Sequence, residues 1–218
     1  MNIYEAMRER HTVRKYKNIK LSDEIISKIN SRVKTNNENY NLDMKFITDN
    51  NNALNLLFKF IVSSNVNNYI LLAGPNLPET DQKLGAAGAD IMLYAQTLGL
   101  NTWWIGETYN KKLSKTSSDK KIIGVIAIGY GEDNGKAHKS KKDSEVSSYQ
   151  GERPEWFKKG IEAALLAPTA LNKQEFMIRG NGKNVKIDSN NGKYSEVNRG
   201  IVRYFFSMGA GEENFKWI

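Results

Sequence analysis

The stretch "LLAPTALNKQEF", residues 165–176, follows an amphipathic helical run and precedes an extended one. Pro168 has no N–H for a helix ladder and disfavours helical geometry at Ala167, so the backbone has to turn there. Thr169, Asn172 and Gln174 then put hydroxyl and amide groups into the turn, able to donate and to accept. Such groups suit a heterocycle with alternating C=O and N–H edges, or they satisfy one another within the loop. The residues alone leave both readings open.

Outward from the turn, a helix is expected from about Pro154 to Ala167, with Pro in its first turn. "EFMIRGNGKNVKID" reads as two strands joined through Gly- and Asn-containing turns. A last helix over "NRGIVRYFFSMG" and an apolar tail, "ENFKWI", that needs a docking surface complete this end. At the start, "IYEAMRERHTVRKY" predicts a short helix with an extended exit, and "LSDEIISKINSRV" a second helix capped by Ser22. A polar, asparagine-rich loop is expected over 34–43, followed by a strand "MKFIT", a helix around "NALNLLFKFIVS" and a strand "YILLAG". Leu84, Ala87, Gly88, Ile91, Ala95 and Leu98 recur at helical spacing, with Gly99 at the position that ends the run. Strands "NTWWIG" (101–106) and "KIIGVIAIGYG" (121–131) come next, then a charged connector over 132–153. Helices and strands mix without a regular βαβ alternation, which predicts an α+β protein with a mixed or antiparallel central sheet flanked by helices. The length suits one domain, 1–218, with two similar halves, about 1–135 and 154–218, as a finer division.

Hydrophobic residues make up 39% of the 218 and aromatics 10%, enough to build a core. There is no cysteine, which excludes disulfides, thiolate metal sites and cysteine nucleophiles. His11 and His138 are the two histidines, too few for a histidine-rich metal centre, and no metal is expected. Charges fill the N-terminal segment where a secretory signal needs apolar residues, and no run approaches the roughly 20 apolar residues of a membrane span. A cytoplasmic protein without a membrane partner is expected. A net charge of +8 raises nucleic acid as a partner, yet the lysines are scattered and the basic run "KAHKSKK" has no binding motif around it. A small anionic ligand would use the same field.

"RERHTVRKY", residues 8–16, gathers Arg8, Arg10, His11, Arg14 and Lys15. Crowded guanidinium groups repel one another unless an anion sits among them, and the fork matches phosphate oxygens. A phosphate between Arg10 and Arg14 stands against a plain solvent-facing basic helix. In "LGLNTWWIG" one tryptophan serves the core, the other can wall an aromatic ligand, and Gly106 lets backbone approach it. "GVIAIGYG" has glycines but neither G-x-G-x-x-G nor a phosphate-loop G-K-[ST], so it is read as a strand with a glycine exit. The lysines of "HKSKK" either return to the same phosphate or decorate an exposed connector.

Together these residues resemble the flavin-dependent nitroreductase superfamily. "RHTVRKY" is similar to its N-terminal R-[RH]-[ST]-x-R-x-[FY] signature, and "AALLAPTALNKQEF" to its A-x-x-A-P-[ST]-x-x-N-x-Q-P-[WF] signature. "ADIMLYAQTLGLNTWWIG" and "IIGVIAIGYG" resemble its central helix, flavin-facing segment and last core strand. Glu175 stands where the family generally has Pro. The second signature follows the core strand instead of preceding it, an order that resembles the family's rearranged subfamily.

The resemblance implies a nitroreductase-like fold and FMN as cofactor. It implies Arg10, His11 and Arg14 at the phosphate and ribityl part, with Lys139 or Lys141 as further phosphate partners. Thr169, Asn172 and Gln174 would line the ring or ribityl chain, and Trp104, Ile105 and Gly106 would pass along the isoalloxazine. The implied activity is ping-pong transfer of reducing equivalents from NADH or NADPH to nitroaromatic, quinone or related acceptors, with no catalytic side chain because the ring performs the redox step. The chain would act as a monomer or a homodimer. An FMN protein serving in sensing or storage, and a basic nucleic-acid module, are the competing readings.

Overall fold

The structure, a computed structural model, describes residues 1–55, 63–116 and 120–218. The described chain divides into two compact units, Met1–Thr80 with Asp90–Ala137, and Asp81–Ala89 with His138–Ile218. Each carries its own four-stranded sheet.

In the first unit, helix α1 (Ile3–Glu9) opens on a reciprocal cap: Asn2 Oδ1 accepts from the Glu5 N–H, and the Glu5 carboxylate accepts from the Asn2 N–H. Helix α2 (Asp23–Tyr40) starts at Ser22, whose hydroxyl accepts from the Ile25 N–H. It runs on through the asparagine-rich stretch expected as a loop. Asparagine is a poor helix former, but here tertiary bonds hold it: Asn36 donates to Asp90, and Asn37 exchanges two bonds with the Met44 backbone. The helix ends at Asn41 in left-handed geometry, φ 54°. Arg32 forms a bidentate pair with the same Asp90.

Strands β1 (Lys45–Ile47), β2 (Tyr69–Pro75), β3 (Asn101–Ile105) and β4 (Lys120–Gly129) form an antiparallel sheet in the order β1-β2-β4-β3. The continuous apolar run of β4 lies at its centre. Tyr69, Leu71, Val125 and Ala127 pack with Val13, Tyr16 and Ile105 in one buried cluster. The helix expected around "NALNLLFKFIVS" falls on 56–62, outside the described residues. Helix α3 (Thr80–Thr97) ends on Leu98 followed by Gly99 at φ 78°, as its spacing predicted.

The second unit holds helices α4 (Asp143–Val146), α5 (Glu155–Leu165) and α6 (Ser195–Ala210), and strands β5 (Ser147–Gln150), β6 (Phe176–Asn181), β7 (Asn184–Ser189) and β8 (Lys216–Trp217) in that order. Thus the connector over 132–153 is not wholly irregular; α4 and β5 occupy its end, with Arg153 clamping Asp143 in a two-pronged ion pair. β6 and β7 form the expected hairpin, while β5 and β8 add parallel edges. The apolar tail docks: Phe215 is buried, and Trp217 stacks edge-on to it and donates to Ser207. The first turns of α3 cross α6 so closely that a Cβ on Gly200 would lie 1.9 Å from the Gln82 carbonyl oxygen.

Candidate functional site

The arginine segment leaves α1 at Arg10, whose backbone turns extended (φ −72°, ψ 114°) while its N–H still bonds Ala6. From there the chain is threaded between strands. Val13 N–H donates to Thr102 C=O, Lys17 N–H to Tyr130 C=O, and Glu132 N–H to Lys15 C=O. Tyr16 is buried, and its hydroxyl donates to the Val13 carbonyl at 2.7 Å. This hydroxyl and burial of the ring fix the bend; burial also pushes the phenol well above its ordinary range, against the pull of Arg14.

Along that path the two arginines meet different surroundings. Arg10 is 3% exposed, its Nε has no partner, and no carboxylate among the described residues pairs with it. Desolvation lowers its pKa to about 10. An uncompensated buried cation costs several kcal/mol, so this arrangement asks for an anion. Arg14 is exposed and lies over the Trp103 ring, 5.4 Å from its centroid. Trp103 itself packs against the buried cluster. Trp103 is thus the core tryptophan of the pair and also the platform for Arg14, a role no spacing rule announced. His11 is partly buried, and a Cβ on Gly135 would sit 2.9 Å from its own Cβ, so the loop after β4 closes over it.

β3 is an edge strand, and its backbone groups alternate between β4 and the open side. Because Thr102 C=O is turned to the open side, where it takes Val13 N–H, the N–H groups of Trp104 and Gly106 face that side too. Neither has a partner among the described residues. Gly106 lies four residues beyond Thr102, roughly 13 Å along the strand at about 3.3 Å per residue. Trp104 is partly exposed and Ile105 buried. One strand edge therefore carries the arginine segment at one end and two open N–H donors towards the other. Thr102 adds a fully buried hydroxyl with no partner among the described residues, which no sequence signal marks because threonine in a strand is unremarkable.

The amide loop belongs to the second unit. α5 stops at Leu165, and Leu171, Asn172 and Gln174 adopt left-handed φ of 53°, 55° and 48°. The polar groups close on one another. Gln174, 1% exposed, donates from Nε2 to Leu165 C=O, accepts from Lys141 N–H through Oε1, and donates its backbone N–H to Thr169 Oγ1. Lys141 Nζ returns to Gln174 C=O at 3.1 Å, and Asn172 Nδ2 donates to Lys139 C=O at 2.8 Å. His138, absent from the expected set, bonds Leu165 C=O through Nε2, and Asn198 caps the Ala170 N–H. Among the described residues, neither Asn172 Oδ1 nor the exposed Lys139 ammonium has a hydrogen-bond or ion-pair partner. Leu171 is 89% exposed in a backbone geometry that costs a non-glycine residue about 1–2 kcal/mol.

An open pocket of about 250 Å³ lies beside Lys141, between the start of β6 and the end of β7, but Glu175 and Asp188 line it and would repel a phosphate. Among the described residues no His, Asp and Glu cluster could hold a metal ion, and no helix is long and apolar enough to cross a membrane.

Comparison with known proteins bears on the family and the fold. The family model described as "Putative TM nitroreductase" matches residues 2–210. A crystal structure from Thermotoga maritima MSB8, described as a "putative nitroreductase", is 24% identical, covers 98% of this chain and 85% of its own, and superposes with a TM-score of 0.67. A second, from Desulfovibrio desulfuricans and described as in complex with FMN, is 20% identical over 67% of this chain and 95% of its own, TM-score 0.54. A third, from Bacteroides thetaiotaomicron VPI-5482 and described as "Putative NADH dehydrogenase/NAD(P)H nitroreductase", is 18% identical over 66% of this chain and 95% of its own, TM-score 0.53. At these identities the structures speak for the fold, a mixture of helices and antiparallel sheet. No curated protein matches the chain. The family match over nearly the whole length settles membership: this chain belongs to the TM nitroreductase family.

Proposed function

We propose that the protein binds FMN and transfers reducing equivalents from NADH or NADPH to a nitroaromatic, quinone or related acceptor. The observation that carries this reading is Arg10, a buried guanidinium whose Nε lacks a partner. Such a group fits a phosphate, which would supply the missing charge and acceptors together. Arg14, fixed over Trp103, and His11 would steer the same phosphate and the ribityl chain from the exposed side. Trp104 and Gly106 would offer backbone N–H donors to the heterocycle's edge, beside buried Ile105. In the second unit, Asn172 Oδ1 and Lys139 are the groups open to a ligand, with Thr169, Gln174 and Lys141 as their scaffold.

When bound, FMN supplies hydride chemistry in a ping-pong order, and the chain's task is to hold, orient and desolvate. That division of labour suits a chain without cysteine and without a metal cluster among its described residues. The test is an absorbance spectrum of purified protein with added FMN, before and after anaerobic NADH or NADPH. Flavin bands that bleach on reduction and return with an added quinone support the reading. Protein that takes up no FMN overturns it, and protein whose bound FMN is reduced by neither nicotinamide is a binder, not an oxidoreductase.

A further inference from the structure

The Gly106 N–H that faces the open side lies beside an irregularity in the neighbouring strand. β3 and β4 stay in register from Asn101 opposite Gly129 to Ile105 opposite Val125. On the other side of β4 the register slips: Leu72 pairs with Gly124 but Ala73 pairs with Ile122, so Ile123 is an extra residue. A bulge of this kind bends its strand and re-aims what packs on it.

Gly124, beside the extra residue, is where β3 leaves the sheet. A Cβ built on Gly124 would lie 2.4 Å from the Ile105 carbonyl oxygen and 3.2 Å from Gly106 Cα. Both atoms are backbone, so neither can swing away as a side chain would. With glycine there, the Ile105 C=O presses against the β4 backbone. A planar trans peptide points its N–H opposite to its C=O, so the Gly106 N–H is driven away from β4 and onto the open edge. Any side chain at 124 would push the Ile105–Gly106 peptide out and rotate that donor.

We propose that Gly124 is a positioning residue, which, with the bulge at Ile123, aims the Gly106 N–H at the flavin ring. This rests on the FMN reading above. Gly124 touches neither cofactor nor substrate; it acts through the Ile105–Gly106 peptide. A donor aimed at the ring binds its oxidised and reduced forms unequally, so Gly124 sets the reduction potential of bound FMN, while Arg10 sets the affinity that both forms share.

The test is Gly124→Ala, read by FMN affinity and by the midpoint potential of the bound flavin. FMN affinity should fall by no more than about threefold. The ratio of affinities for oxidised and reduced flavin should change at least about tenfold, which is about 30 mV for a two-electron couple. Loss of packing alone would weaken both forms together and leave the potential in place. Should Gly124→Ala fail to fold, the wild-type protein carries the test: the Gly106 amide resonance of nitrogen-15-labelled protein should shift and gain exchange protection on adding FMN. An unchanged potential in a folded Gly124→Ala, or a Gly106 amide indifferent to FMN, overturns the inference while leaving the FMN reading standing. Wild type that binds no FMN overturns both.

Discussion

The arginine segment and the amide loop are the two stretches that look most functional in the sequence, and the fold treats them in opposite ways. At Arg10 a full charge is buried with no ion-pair partner among the described residues. In the loop, Gln174 is buried just as deeply, yet its side-chain amide and backbone N–H are matched by Leu165, Lys141 and Thr169. A satisfied buried network rigidifies, whereas an unsatisfied one is tolerated where something else completes it. The comparison separates a buried group left without a partner from one matched within its own loop, a difference that residue type alone cannot give.

Arg10→Met should widen that contrast most. It removes the proposed phosphate partner and should lower FMN affinity by at least about a hundredfold, in line with about 3–5 kcal/mol for a broken buried charge pair. The same change should stabilise the protein without ligand by about 3 kcal/mol, the equivalent of the depressed guanidinium pKa. The sign follows from that depression: with the folded-state pKa lowered to about 10, the cost is fully present below it and is relieved only as pH rises above it. The gain should therefore be flat across neutral pH. Dialysis and thermal melts of one preparation check both halves, and a destabilised Arg10→Met would break the comparison.

Gln174→Ala is the reciprocal case. It strands the Lys141 N–H and removes one donor from the Leu165 carbonyl, which keeps His138 and Ser140, so unfolding in urea should register a loss of about 1–3 kcal/mol, with FMN affinity altered much less than by Arg10→Met. A collapse of affinity with stability intact would make Gln174 a ligand residue after all. Arg14→Ala comes next: its guanidinium is exposed and stacked on Trp103, so affinity should fall about tenfold or less, by an amount that shrinks as salt is raised. Leu171→Gly is the smallest, a gain of about 0.5–1 kcal/mol by thermal melt from relieving left-handed strain, offset in part by a more flexible unfolded chain.

Periodicity and caps made most of the architecture legible. Ser22, Gly99, Pro154 and the Gly- and Asn-rich turn of the β6–β7 hairpin mark boundaries that local chemistry enforces. The asparagine-rich end of α2 was not legible, because Asp90 and Met44, remote in sequence, hold it helical. For the candidate site, spacing located the arginines but not their fates. Burial of Arg10 and exposure of Arg14 follow from how Val13 and Tyr16 are threaded between Thr102 and Tyr130, which is tertiary information. "GVIAIGYG" is read from sequence as a strand with a glycine exit, and what its first glycine, Gly124, meets depends on the Ile105 carbonyl from another strand.

The central claim is that Arg10 is completed by a phosphate. Its most direct test compares the affinity of the protein for FMN with that for riboflavin, which has the same ring and ribityl chain without the phosphate. The account predicts that FMN binds at least about a hundredfold more tightly, and that Arg10→Met erases most of the difference. Equal affinities for the two, or a preference for FMN that survives Arg10→Met, would contradict it.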